Sequence, residues 1–202
     1  MGLFYLEGMI LVLTGPVHSG KTTFLKRLLP DLEALRLPVS GYLSLLVKDK
    51  GETAGYDLFD IKKGKSIPFL RTEGESGWQT VGPYFFLPPG LEAAVAAILG
   101  HKPGEILIID EVGPMELAGR GVWPALSEVL SGPWLDCLLV VRKPLLDDLR
   151  DCLGKTPVRV FDAERQDVYP SLIRALKELR AVRNKRRDKS DLATPRKGRS
   201  GR

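Results

Sequence analysis

The stretch LVLTGPVHSGKTT, residues 11–23, constrains this chain more than any other. It carries the spacing G-x-x-x-x-G-K-[ST], opened by Gly15 and closed by Gly20, Lys21 and Thr22. An apolar run of strand type precedes it at residues 9–13, and a helical pattern follows from Thr23. Strand, glycine-rich turn and helix in that order make a loop that wraps phosphates. Phosphate oxygens need several N–H donors at close range. Successive backbone N–H groups supply them only where the chain turns tightly, which Gly15 and Gly20 permit. The helix after the turn points about half a positive charge at the anion. Lys21 can reach the β- and γ-phosphates, and the Thr22 hydroxyl is placed to ligate Mg²⁺. Pro16, Val17, His18, Ser19 and Thr23 complete the expected nucleotide-binding set, His18 through its backbone alone.

The rest of the pattern predicts an α/β fold. Phe24, Leu25, Leu28, Leu29, Leu32 and Leu35 form a helical stripe, which Pro30 is expected to kink or restart. Residues 40–48 and 54–62 read as strands around the turn Asp49-Lys50-Gly51. Lys63-Gly64-Lys65 turns the chain again before residues 66–71, giving a small antiparallel meander. Residues 72–90 are Gly/Pro-rich and read as one long loop, with Trp78, Tyr84, Phe85 and Phe86 as a local core beneath it. Helices are expected at 91–99, 123–130 and 145–153, with a last helix opened by Pro170. Continuous apolar strands are expected at 106–109, 135–141 and 158–161. Such strands separated by helices indicate a mainly parallel sheet covered on both faces, carrying a small antiparallel hairpin insertion.

Charge divides the chain. Of a net +5 over 202 residues, the last twenty hold nine Lys/Arg against two Asp, so the preceding 182 residues are mildly acidic. The expected organisation is a domain over residues 1–183 and a basic, disordered tail over 184–202. Nucleic acid or anionic lipid would suit such a tail, although a solvated tail is the plainer expectation. No apolar run approaches the roughly 18 residues of a membrane span. The N-terminus lacks a basic region and runs straight into the loop. A signal peptide is therefore not expected, and residues 1–8 read as a dispensable leader. Cys137 and Cys152 have no Cys or His neighbours at metal spacing, which fits reduced thiols in a cytoplasmic protein.

The partner of the loop is ILIIDEVGP, residues 106–114. An aspartate ending a buried strand beside such a loop holds Mg²⁺, and Asp110 fits. Glu111 follows it, where a carboxylate can take a proton from an attacking water. Phosphoryl transfer also gathers charge on the equatorial oxygens, which a cation must offset. Arg142, at the end of the strand at 135–141, should emerge on the same sheet edge as Asp110. Lys143, Arg71, Arg120 and Arg165 are further candidates.

Three segments taken together, GPVHSGKTTFLKRLL, SGYLSLLVKDKGETAGYDLFDIKKGK and ILIIDEVGPMEL, resemble the small P-loop nucleoside-triphosphatases of bacteria and archaea. The resemblance spans residues 9–166. It implies a RecA-like sheet and Mg²⁺-dependent hydrolysis of several nucleoside triphosphates to diphosphates. Asp110 and Glu111 would serve the metal and the water. This chain has Leu45, Leu46 and Val47 where members often carry an acidic residue and an arginine. Two other readings use the same loop. One is a nucleoside or metabolite kinase, with an acceptor under residues 64–90 and Arg71, Lys62, Lys63 and Lys65 closing over the phosphates. The other is a slow nucleotide-dependent binding protein whose tail holds RNA or a partner. The sequence sets no oligomeric state.

Overall fold

Alternation along one strand sets the layers of the structure, a computed structural model that describes residues 9–132 and 135–193, with side chains as far as Ala181. β1 (Ile10–Gly15) is buried along its whole length. Ile10 and Val12 join one core, and Leu11 and Leu13 the other. A strand apolar on both sides belongs inside a sheet covered on both faces.

The other strands are β2 (Val39–Asp49), β3 (Glu52–Asp60), β4 (Lys65–Arg71), β5 (Thr80–Val81), β6 (Tyr84–Phe86), β7 (Ile106–Val112), β8 (Asp136–Arg142) and β9 (Val158–Asp162). The described residues form one nine-stranded sheet in the order β5-β6-β4-β3-β2-β7-β8-β1-β9. From β2 to β9 the pairs are parallel. From β2 outward to β5 they are antiparallel. The hairpin expected as an insertion is thus an extension of the main sheet, and β2 belongs to both halves. α1 (Lys21–Ala34) and α6 (Val168–Ala193) cover one face through Leu25, Leu28, Leu32, Leu172 and Leu176. The other face is covered by α2 (Pro88–Leu99), α3 (Pro114–Leu117), α4 (Trp123–Leu130) and α5 (Leu146–Leu153), through Ala94, Ile98, Met115, Leu126 and Leu149.

One glycine lets the two halves meet. Gly41 pairs with Ile108 across β2 and β7 at φ 96°, and a Cβ there would lie 2.0 Å from the Ile108 carbonyl oxygen. No side chain fits that approach.

Several elements differ from the sequence reading. α1 runs unbroken through Pro30. Both Pro30 and Lys26 are exposed, so water can serve the carbonyl that loses its donor. The helix ends instead at a left-handed Arg36, φ 53°, where Arg36 N–H donates to Glu33 and Leu37 N–H to Leu32. Arg36 is exposed, and its side chain makes no hydrogen bond or ion pair among the described residues. Arg36→Gly should therefore stabilise the fold by about 0.5–1 kcal/mol, read as a higher urea midpoint at unchanged slope.

Residues 72–90 are not one loop. They contain β5, β6 and the start of α2, whose first turn is set by Pro88 and Pro89. β7 continues past residue 109 and takes Asp110 and Glu111 into the strand. α6 continues to Ala193, past Asn184, where polar composition led to the expectation of disorder. Lys, Arg and Ala in that segment are strong helix formers. Residues 194–202 of the expected tail, and the leader over residues 1–8, lie outside the described residues.

Candidate active site

The loop between β1 and α1 has the form its sequence requires. Gly20 takes φ 82° and His18 φ 60°. Gly20 carries no side chain, so the first-turn N–H groups of α1 have no side-chain cap and are left for an anion. His18 is exposed and lines the cavity. Lys21 is 7% exposed, and its Nζ donates to the carbonyls of Gly15 (3.2 Å) and Pro16 (2.6 Å). Burial lowers its pKa, and the charges of Glu111 and Asp110 oppose that. The hydroxyls of Thr14 and Ser19, one before the loop and one within it, are buried without hydrogen-bond partners among the described residues. Buried hydroxyls are normally paired, and of these two Ser19 belongs to the cavity lining.

The parallel register brings the second motif to this loop. Thr22 Oγ1 donates to Asp110 Oδ2 at 2.8 Å, joining residues 88 positions apart. Asp110 is 2% exposed, and burial pushes its pKa up to about 7 against the Thr22 hydrogen bond. β2 adds a residue that the sequence did not single out. Ser44 N–H reaches Asp110 Oδ2 at 3.4 Å, and Ser44 Oγ donates to the Asp110 carbonyl at 2.5 Å. Only the β2–β7 pairing places Ser44 there, and no local motif marks it.

Glu111 Oε1 accepts from Arg142 Nε at 2.8 Å and lies 2.7 Å from Nη2 in the same ion pair, while Oε2 has no hydrogen-bond partner among the described residues. Of the cations proposed to complete the charge, Arg142 is the one that lines the cavity. Arg71 is held by Asp57 and the Tyr56 carbonyl, Lys143 by Asp162 and Glu164, and Arg165 by Asp167. Arg120 is exposed and away from the cavity. The lid of the alternative kinase reading is not formed among the described residues. Lys62 pairs with Glu105 and Lys63 with Asp60. Their turn follows Asp60, which lies opposite Tyr42 near the start of β2, at the sheet end away from the loop.

The cavity over this site has a volume of about 570 Å³. Its phosphate end is the loop from Val17 to Thr23. It then passes Asp110, Glu111 and Arg142 and continues into a second lobe walled by β2, β3, β4 and the β5–β6 hairpin. Tyr84 and Phe86 line that lobe, Phe86 as part of the buried core. Trp78 and Phe85 are half-buried and do not line it.

Comparisons with known proteins agree with this geometry. A family model described as NTPase matches residues 10–173. The chain is similar to nucleoside-triphosphatase THEP1 of Methanothermobacter thermautotrophicus, 32% identical over 182 residues, covering 87% of this chain and 100% of that protein. It is also similar to a cancer-related nucleoside-triphosphatase homologue of Mus musculus, 27% identical over 171 residues, covering 77% and 88%. Among solved structures, that of a human cancer-related nucleoside triphosphatase superimposes with a TM-score of 0.68 at 25% identity, over 85% of this chain and 98% of the other.

Proposed function

The chain belongs to the NTPase family, and from that premise we propose that it hydrolyses nucleoside 5′-triphosphates, ATP and GTP among them, to the diphosphate and phosphate with Mg²⁺ as the metal. The observation that carries the reading is the 2.8 Å bond between Thr22 and Asp110. It places a loop hydroxyl and a strand carboxylate as neighbouring hard oxygen donors. Mg²⁺ takes one or two such protein ligands and fills the rest of its octahedron with phosphate oxygens and water. The described residues hold no cluster of three or more His, Cys, Asp or Glu. That fits a cation bound together with its substrate rather than in a cage of its own. When bound, it would be held by Thr22 and Asp110 and would offset the charge of the phosphates.

The chain's own groups supply the remainder. The loop N–H groups and the helix terminus cradle the phosphates, and Lys21 sets a positive charge at the β/γ bridge. Arg142 fixes Glu111 by one oxygen and leaves Oε2 to receive a proton. A water oriented there attacks the γ-phosphorus, its O–P bond forms, and the bridging O–P bond to the β-phosphate breaks. The guanidinium of Arg142 adds positive charge on the same side.

We place the protein in the cytoplasm. Cys137 and Cys152 are both unpaired, and no helix among the described residues is long and apolar enough to cross a membrane. The test of function is phosphate release from ATP, GTP, CTP and UTP with Mg²⁺ and no acceptor. Release from several of them, falling to background with EDTA, is the expected result. Background release throughout would defeat the reading.

A further inference from the structure

The second lobe of the cavity lies on one particular side of the phosphates. On the hydrolase reading Thr22 and Asp110 would hold the metal, and Glu111, next to Asp110, would face the γ-phosphate. The γ end therefore sits against β7, and the α-phosphate and nucleoside trail away from it. The cavity runs in the opposite direction, past β7 to β2, β3, β4 and the β5–β6 hairpin. No residue of β9 or of the segment after it lines the cavity. The lobe is therefore not the seat of the nucleobase of the same triphosphate. This placement rests on the hydrolase reading above.

The lobe is built rather than merely open. Phe69 meets Tyr42 at 5.9 Å and Phe86 at 5.2 Å, both edge to face, which fixes its floor. Tyr56 and Tyr84 meet at 5.6 Å, nearly perpendicular, and form its half-exposed side wall. Tyr42 is 1% exposed and lines the cavity, where its hydroxyl can donate to a ligand. Asp110, Glu111 and Glu116 line the same region and disfavour an anion there. Aromatic walls, a tyrosine hydroxyl on the lining and flanking carboxylates suit a neutral, planar, hydrogen-bonding molecule.

We propose that this lobe is a subsite for a second molecule, a neutral nucleoside. Its base lies against the Tyr56 and Tyr84 rings, and one of its acceptor atoms takes the Tyr42 hydroxyl hydrogen. The subsite adjoins the free Glu111 oxygen, so its occupant displaces the attacking water and slows hydrolysis.

The experiment is calorimetric titration of adenosine, guanosine, cytidine and uridine into the full chain saturated with Mg²⁺ and a β,γ-imido nucleoside triphosphate. At least one nucleoside is expected to bind one per chain without displacing the analogue, and to lower phosphate release from the cognate triphosphate. Tyr42→Phe should weaken that nucleoside about three- to tenfold and leave the analogue's affinity unchanged. Tyr84→Leu should weaken it as well. If no nucleoside binds the analogue-saturated protein, or one binds only by displacing the analogue, the subsite is refuted. If Tyr42→Phe and Tyr84→Leu bind the nucleoside as the parent does, it is refuted too. Failure of the analogue itself to bind would instead overturn the hydrolase reading, and the subsite with it.

Discussion

Glu111→Gln is expected to retain nucleotide binding and to lose phosphate release by 10²- to 10⁴-fold, the usual contribution of a positioned general base. This corresponds to about 3–5 kcal/mol of barrier. Glutamine keeps an acceptor oxygen for Arg142, so the contact at Oε1 can survive while the basic oxygen is lost. The kinetic signature is a fall in kcat with KM nearly unchanged. A variant turning over at the parent rate would remove Glu111 from the mechanism and leave the water to be oriented by another group. Arg142→Ala separates the two roles of that pair. Loss of positioning alone should shift the pH profile and cost less than the loss of the base.

The second large effect falls on Lys21. Lys21→Met should lower kcat/KM by on the order of 10²–10³, the scale seen when one preorganised donor to developing charge is removed. Its effect on folding should be small, within about 1 kcal/mol. Lys21 is a desolvated cation whose pKa burial lowers, and methionine fills similar space without that cost. The two carbonyl contacts it gives up, at Gly15 and Pro16, work against that gain. Denaturant midpoints and single-turnover rates on the same preparation check both halves. A collapse of stability together with activity would make Lys21 a structural residue first.

Thr22 and Asp110 were legible because each lies in a short pattern whose chemistry depends on local spacing. Their contact needed only that two buried strands run parallel in one sheet. Arg142 could be placed by the same logic, since the end of its strand shares an edge with Asp110. Ser44 and Tyr42 could not, because their roles depend on which residue of β2 lies beside β7, and that register is fixed by Gly41 meeting Ile108. Pro30 misled because its penalty was weighed without knowing that its helix face is solvated. Residues 184–193 misled in the other direction, since low hydrophobicity argues against a core but not against a continuing helix. Lys62, Lys63 and Lys65 were near the loop in imagination only, because the antiparallel return of β3 carries them to the opposite sheet end.

β2 has a mechanical consequence. It pairs with β7 only from Val39 to Tyr42, then projects seven residues further, roughly 23 Å at the usual rise of a strand. The projecting part is a cantilever, clamped at its root where Ser44 grips Asp110 and loaded near its tip at Lys50 and Gly51. Bending amplitude in such a beam grows with distance from the clamp. The contact of Ser44 with Asp110 therefore sits at the stillest point of the hairpin, and Leu46 and Tyr56 farther out can breathe without disturbing it. One strand thus serves as an anvil at one end and a spring at the other.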